Sequence, residues 1–509
     1  MFARVCSMGV YALEGFAVNV EADISGGLPQ FAIVGLPDNA VKEATDRVRS
    51  ALKNLNYTYP VSRITINLAP ADIKKTGPVY DLPVLLAILA ASGQIKDLPD
   101  DTAFVGELSL DGSIRGVNGI LPMTIAAQKC GKKAIFVPSN NALEASAVEG
   151  IKIYAVENAK QVVLHLLGEN VLPEVPALEF NTQAVDEILD FADVRGQLEA
   201  KRALEIAAAG GHNLLMVGSP GSGKSMLAKR LPGILPPLTR EEAMETTKIY
   251  SVAGNMKNGV GLITQRPFRA PHHSVSATGL SGGGATPRPG EISLAHNGVL
   301  FLDELPEFHR DALEILRQPV EDGIVTVSRV AGTATFPCQI MLIAAMNPCP
   351  CGYFGHPTRA CTCNQSSIDR YLQRISGPLL DRIDLHVEVL PVDYEDIASE
   401  ENGECSADIA VRVAAARAVQ LKRFAGTNVA CNAQIPSAML RRICRLSKDA
   451  NKLLKLAFER MGLSARAYDR VLKVSRTIAD LDGSDIIETQ HVSEAVQYRN
   501  MDRKYWYTR

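Results

Sequence analysis

The stretch Gly218-Ser219-Pro220-Gly221-Ser222-Gly223-Lys224-Ser225-Met226 opens with a complete G-x-x-x-x-G-K-[ST] pattern, which fixes a ligand class. Glycines at these spacings let backbone N–H groups turn inward around phosphate oxygens. Lys224 brings a positive charge to β- and γ-phosphates, and the Ser225 hydroxyl can hold Mg²⁺. The flanks agree with this reading. His212-Asn213-Leu214-Leu215-Met216-Val217 reads as a buried strand entering the loop. Ser225–Leu231 reads as a helix whose N-terminus faces the phosphates. The expected ligands are ATP and Mg²⁺, bound by residues 218–226.

A second motif follows about 80 residues later. Val299-Leu300-Phe301-Leu302-Asp303-Glu304 is an apolar run ending in two carboxylates. A parallel strand buried on both faces has this form, with its acids at the carboxyl end, where ligands collect. Asp303 is placed to hold Mg²⁺, and Glu304 to polarise an attacking water. Ile340–Met346 reads as another buried strand, and it delivers Asn347 towards the γ-phosphate or the water.

Length and composition bound the rest. The 509 residues suggest about two to four domains. At 46% hydrophobic and 21% charged, the chain is ordinary globular protein. A net charge of −3 excludes a broad basic surface, so any nucleic-acid contact must be local. The first residues lack a signal-peptide pattern. The most apolar run, Leu82–Ala91, is too short to span a bilayer and contains Pro83. With six of the ten cysteines scattered, a reducing cytoplasm and no membrane partner are expected.

Periodicity divides the chain into residues 1–167, a linker at 168–185, a core at 186–395 and a helical region at 396–509. In the first part, Gly15–Asp23, Arg63–Leu68 and Ala134–Val137 read as strands. Asn39–Asn54, Leu82–Ala91 and Gly119–Cys130 read as helices. The linker contains Pro173 and Pro176. The core alternates strands and helices, as a doubly wound α/β sheet does. In the last part, Pro436 suits a first helical turn, Ser464 caps a helix and Thr489 caps another.

Two arginines suit a nucleotide machine. Arg382, in Leu379-Leu380-Asp381-Arg382-Ile383-Asp384, suits a finger that neutralises transition-state charge in a neighbouring subunit. Arg466, opening a helix after Ser464, can read the nucleotide from a lid. For each, the plain alternative is a structural ion pair. Cys349, Cys351, Cys361 and Cys363 form two C-x-C pairs, a candidate tetrahedral zinc site with His356 as a spare ligand. The spacing is not that of a C-x-x-C knuckle, and four unliganded thiols are the alternative. His272 and His273 suit either a pore or intersubunit contact or simple loop hydrogen bonding. As sequence neighbours they are expected to point apart.

The chain resembles the AAA+ ATPases, and within them the magnesium-chelatase-like branch and its ComM/YifB family. The residues that carry this are Ala208-Ala209-Gly210-Gly211-His212-Asn213-Leu214-Leu215-Met216, Arg269-Ala270-Pro271-His272-His273, Arg288-Pro289-Gly290-Glu291-Ile292-Ser293-Leu294-Ala295-His296-Asn297-Gly298 and Ala345-Met346-Asn347-Pro348-Cys349-Pro350-Cys351-Gly352. The resemblance runs nearly end to end. It implies an AAA+ core with a helical C-terminal lid, Asn347 as sensor 1, Arg382 as finger and Arg466 as sensor 2. It further implies a homo-hexameric ring, a helix-2 insert within Ser251–Glu291, and a hairpin over Ile324–Phe336 with Arg329 near its tip. In related helicases such elements face the pore.

Residues 63–140 also resemble the Lon protease domain, an α+β fold, through Lys75-Thr76-Gly77-Pro78 and Val105-Gly106-Glu107-Leu108. The catalytic Ser and Lys positions of that family fall on Val79 and Leu121, which can neither attack nor accept a proton. The resemblance is therefore to the fold, without peptidase chemistry. Branch migration of DNA during natural transformation is the activity the family resemblance implies. Metal insertion in the manner of magnesium chelatase is the alternative.

Overall fold

The computed structural model describes residues 1–509 except 97, 182–188, 285–286, 330–331, 392–402, 463, 503–504 and 507–509. It contains two compact units: Met1–Asn181 with Thr239–Thr264, and Thr182–Leu238 with Gln265–Arg509. The segment expected to hold the insert is thus divided. The helix Arg240–Ala253 and the loop to Thr264 join the first unit, where Met244 and Leu262 pack into its core.

The first unit is built on a seven-stranded mixed sheet. Its strand order is Gln30–Val34, Arg63–Ala69, Glu14–Ser25, Phe2–Tyr11, Thr102–Phe104, Ala134–Pro138 and Lys152–Val156. The alternation of Val18, Val20, Ala22 and Ile24 buries one face of the long strand Glu14–Ser25. The helices Asp81–Ala91 and Ile120–Lys129 pack against that strand and its neighbour Phe2–Tyr11. The helix expected over Asn39–Asn54 is two helices, Asn39–Lys42 and Ala44–Asn54, which meet at Glu43. Asp38 caps the first through the Val41 N–H at 2.8 Å. Among its described residues, the proline-bearing segment after Gly168 carries no helix or strand of its own. It is tied down by the Val175 N–H on the Ile153 carbonyl and the Leu178 N–H on that of Ser146.

The second unit carries a five-stranded sheet in the order Phe268–Arg269, Gly298–Leu302, Ile340–Met346, Leu214–Gly218, Leu385–Val389, with every pairing parallel. Strands buried on both faces must be continuously apolar, and Leu214–Gly218 and Gly298–Leu302 are buried at every position. Burying a Val, Leu or Phe side chain contributes about 1.5–3 kcal/mol, so these short strands are fixed by packing. The helical region comprises Ser406–Arg423, Ser437–Ile443, Lys448–Met461, Ala465–Leu481 and Thr489–Gln497. Ser464 caps its helix through the Ala467 N–H. Two other ends differ from expectation. Pro436 lies at the cap position rather than in the first turn, and Glu488, not Thr489, caps the helix Thr489–Gln497 in a box with His491. The hairpin pairs Ile324–Arg329 with Gly332–Pro337 in antiparallel register. Among the described residues, no helix is long and apolar enough to cross a membrane.

Candidate nucleotide site and four-cysteine cluster

Residues 218–226 join the strand Leu214–Gly218 to the helix Lys224–Arg230. Gly221 and Gly223 sit at φ +79° and +90°, a backbone region that disfavours side chains, and this turns the loop back over the helix N-terminus. Pro220, Lys224, Ser225, Asp303, Glu304 and Asn347 are among the residues lining a cleft of about 400 Å³. Met226 lines it too.

The Lys224 ammonium is buried, and that desolvation pushes its pKa below the ordinary lysine range against the opposing pull of Asp303 and Glu304. It donates to the carbonyls of Gly218 and Ser219 at 2.8 and 2.9 Å and reaches Asn347 Oδ1 at 3.3 Å. The strand pairing explains that last contact, because Val217 lies opposite Met346 and the two strand ends open side by side. Ser225 Oγ donates to Asp303 Oδ2 at 2.5 Å. Both are hard oxygen donors, the kind that would hold Mg²⁺ beside the phosphates.

Glu304 adopts φ +53°, a left-handed conformation costing of order 1–3 kcal/mol for a non-glycine residue. Its carboxylate stands 3.3 Å from His273 Nδ1. His272 and His273 do not diverge: their ring centroids lie 4.0 Å apart, because the chain turns at this point instead of extending as a strand. Arg269, in the same diagnostic string, grips Glu291 with two 2.7 Å hydrogen bonds. Sequence reasoning missed the His273–Glu304 contact. The only signal for it was the unexplained His pair next to a strand that borders Gly298–Leu302.

Arg382 and Arg466 lie elsewhere. Arg382 forms an ion pair with Glu321, and its side chain is 11% exposed. Glu321, Arg466, Arg470 and Lys473 line a second cleft of about 470 Å³, together with Asn213 and Asp384. Asn213, Ile340 and Asp384 precede or begin their strands, so this cleft opens at the end of the sheet opposite the phosphate loop. The structure therefore brings Lys224, Ser225, Asp303, Glu304 and Asn347 together and leaves both arginines out of that group.

Cys349, Cys351, Cys361 and Cys363 converge, with all four Sγ atoms within 4.8 Å of one another. Three of the separations are 3.4, 3.7 and 3.5 Å. A tetrahedral zinc with Zn–S of about 2.3 Å separates its sulfurs by about 3.8 Å, whereas a disulfide would draw a pair to about 2.05 Å. The donor set and its spacing fit zinc. Backbone N–H groups of Tyr353 and Thr362 hold the Cys351 thiol well below its ordinary range despite opposing desolvation. His356 turns away, accepting from the N–H groups of Thr358 and Arg359.

A parallel sheet in this strand order, a phosphate loop at its carboxyl end and a helical lid define the AAA+ class of P-loop proteins. The family described as "Magnesium chelatase, subunit ChlI" matches residues 190–397, "Subunit ChlI of Mg-chelatase" matches 20–141, and "Magnesium chelatase, subunit ChlI C-terminal" matches 403–499. YifB of Escherichia coli (strain K12) is 47% identical over 489 residues, covering 96% of this chain and 94% of that protein. The competence protein ComM of Haemophilus influenzae is 47% identical over 506 residues, 98% of this chain and 96% of that protein. A Lon protease of Dictyoglomus thermophilum is 28% identical over 156 residues, 28% of this chain and 20% of that protein. The chain belongs to the ComM/YifB family of magnesium-chelatase-like AAA+ proteins.

Proposed function

We propose that six copies of this chain form a ring in which ATP hydrolysis moves branched DNA, promoting integration of DNA during natural transformation. Residues 186–395 act as the motor core, 396–509 as the lid and 1–167 as a Lon-like domain without peptidase chemistry, with 168–185 as linker. When ATP binds, Lys224 leaves the carbonyls of Gly218 and Ser219 for the β- and γ-phosphate oxygens. Ser225 and Asp303 would hold Mg²⁺, which would neutralise phosphate charge. Asn347 fixes the γ-phosphate side of the cleft, and Glu304 orients the attacking water once it parts from His273.

The observation that carries the ring is the shared placement of Arg382 and Arg466 at the end of the sheet opposite their own phosphate loop. Neither side chain serves its own cleft from there, so both act on a neighbour's nucleotide. Support for DNA comes from the competence protein's name and from the hairpin Ile324–Pro337, which carries the exposed Arg329. Six such hairpins give a local basic lining on a chain whose net charge is −3. The cysteine cluster holds one structural zinc per chain.

The test is ATP turnover and strand exchange on a synthetic four-way junction. Stimulated hydrolysis and ATP-dependent migration, both weakening with salt, are expected. A protein that neither binds nor migrates the junction fails this reading, and metal insertion in the manner of magnesium chelatase then takes its place.

A further inference from the structure

The loop from Pro348 to Asn364 contains no helix or strand, and its interior is the four-sulfur cluster. A loop of this length normally needs a staple to hold one shape. Its first residues run beside the nucleotide cleft at two points. Cys349 follows two residues after Asn347, whose Oδ1 receives Lys224. At the other side, Gly352, directly after Cys351, lies against the phosphate loop. A Cβ at Gly352 would stand 2.4 Å from Pro220 Cδ and 2.7 Å from its Cγ, and the residue's φ is +84°. Pro220 lines the nucleotide cleft, immediately before the Gly221 turn.

We infer that the metal-loaded cysteine cluster is a brace for the phosphate loop: it seats Gly352 on Pro220 and so couples zinc occupancy to ATP affinity. The inference rests on the zinc reading above and goes further, since a purely structural zinc could leave nucleotide binding untouched. Physically, the metal fixes the Cys349–Cys351 turn, and that turn closes off the outward path of the proline. The N–H groups of residues 221–224 are thereby held in the curvature that phosphate oxygens require. Without the metal the thiols separate, Gly352 withdraws and the loop must be ordered by the nucleotide itself.

Coupling of this kind is reciprocal, so ATP must also tighten zinc binding by the same factor. The experiment uses the full-length protein with Mg²⁺ present. A zinc-selective chelator of known affinity is brought to equilibrium with the protein with and without ATP, chelated metal is read by absorbance, and a fluorescent ATP analogue reports binding. About one zinc per chain is expected, held about tenfold more tightly with ATP, and ATP binding weakened to the same degree after stripping. Re-addition of zinc should restore binding. Gly352→Ala should keep its zinc and bind the analogue more weakly, because the new methyl group displaces Pro220. In Pro220→Ala, zinc is kept and the effect of ATP on its affinity shrinks. Absence of zinc from native protein overturns the metal reading itself. Zinc present but held with the same affinity with and without ATP overturns the brace alone, and partial competition leaves most chains loaded, so that result stands even if the stripped protein unfolds.

Discussion

Ser225 and Asp303, 78 residues apart in sequence, meet in a 2.5 Å hydrogen bond between hydroxyl and carboxylate. Parallel pairing produces it: the strand Ile340–Met346 lies between Leu214–Gly218 and Gly298–Leu302, so both motifs emerge at one end of the sheet. Lys224→Ala should abolish ATP binding. Asp303→Asn should keep part of the binding but lose its dependence on Mg²⁺. Glu304→Gln should bind ATP and turn it over about 10²-fold or more slowly, as loss of a general base does. Equilibrium binding and steady-state ATPase assays separate the three, and a native rate for Glu304→Gln would refute the water-orienting role.

A second prediction concerns stability. Asp384 is buried at the start of the strand Leu385–Val389, where it accepts from Arg470 Nη1 at 2.5 Å and from the Asn213 N–H at 2.9 Å. Burial opposes its charge, but Arg470 and His212 outweigh that and hold its pKa well below the usual carboxylate range. A depressed folded pKa contributes stability that is complete above the unfolded value of about 3.9 and fades as pH falls through and below it. Asp384→Asn should cost about 3–5 kcal/mol at pH 7, because Arg470 loses its charged partner. The penalty should shrink below about pH 4. Denaturant melts followed by Trp506, the single tryptophan, report this unit. An equal penalty at pH 7 and pH 3.5 would count against it.

Three strands of the second unit's sheet were legible in the sequence because their signals are local, whereas Phe268–Arg269 and Leu385–Val389 were not legible there. Leu214–Met216, Val299–Leu302 and Ile340–Met346 are apolar without interruption, as strands buried on both faces are. The phosphate loop, Asp303 and Asn347 follow from those strands by position alone. What was hidden depends on the paths of irregular segments. His273 reaches Glu304 because the chain turns after Pro271, and no periodicity announces that turn. The helix Arg240–Ala253 carries a normal capping box, yet its packing into the first unit is decided by Met244 and Leu262 finding apolar partners far away in sequence. Gly352 reads as one more loop glycine until its closeness to Pro220 is seen.

The Lon-like unit should have no peptidase activity. The resemblance to Lon puts that family's hydroxyl and amine positions at Val79 and Leu121, which are both buried apolar side chains, 4% and 0% exposed. Casein and small fluorogenic peptides should remain uncleaved with and without ATP. Sustained cleavage abolished by a substitution in this unit would show that another nucleophile serves.

The last prediction separates a ring motor from six independent ATPases. Arg382 is held by Glu321 beside the cleft that Arg466 lines, away from its own phosphate loop. If it completes the neighbour's site, Arg382→Ala chains bind ATP but hydrolyse it about 10³-fold or more slowly, the loss that removal of such a finger causes. Lys224→Ala chains cannot bind ATP, yet they keep an intact finger. Mixed together, some interfaces join an intact phosphate loop from the first variant with an intact arginine from the second. Those interfaces are complete, so partial ATPase should return from two inactive preparations and peak at an intermediate mixing ratio. A finger acting within its own chain forbids this, because every chain in the mixture then carries a broken site. Sedimentation under the assay conditions establishes that mixed rings form, and the absence of recovery in such rings would refute action across the interface.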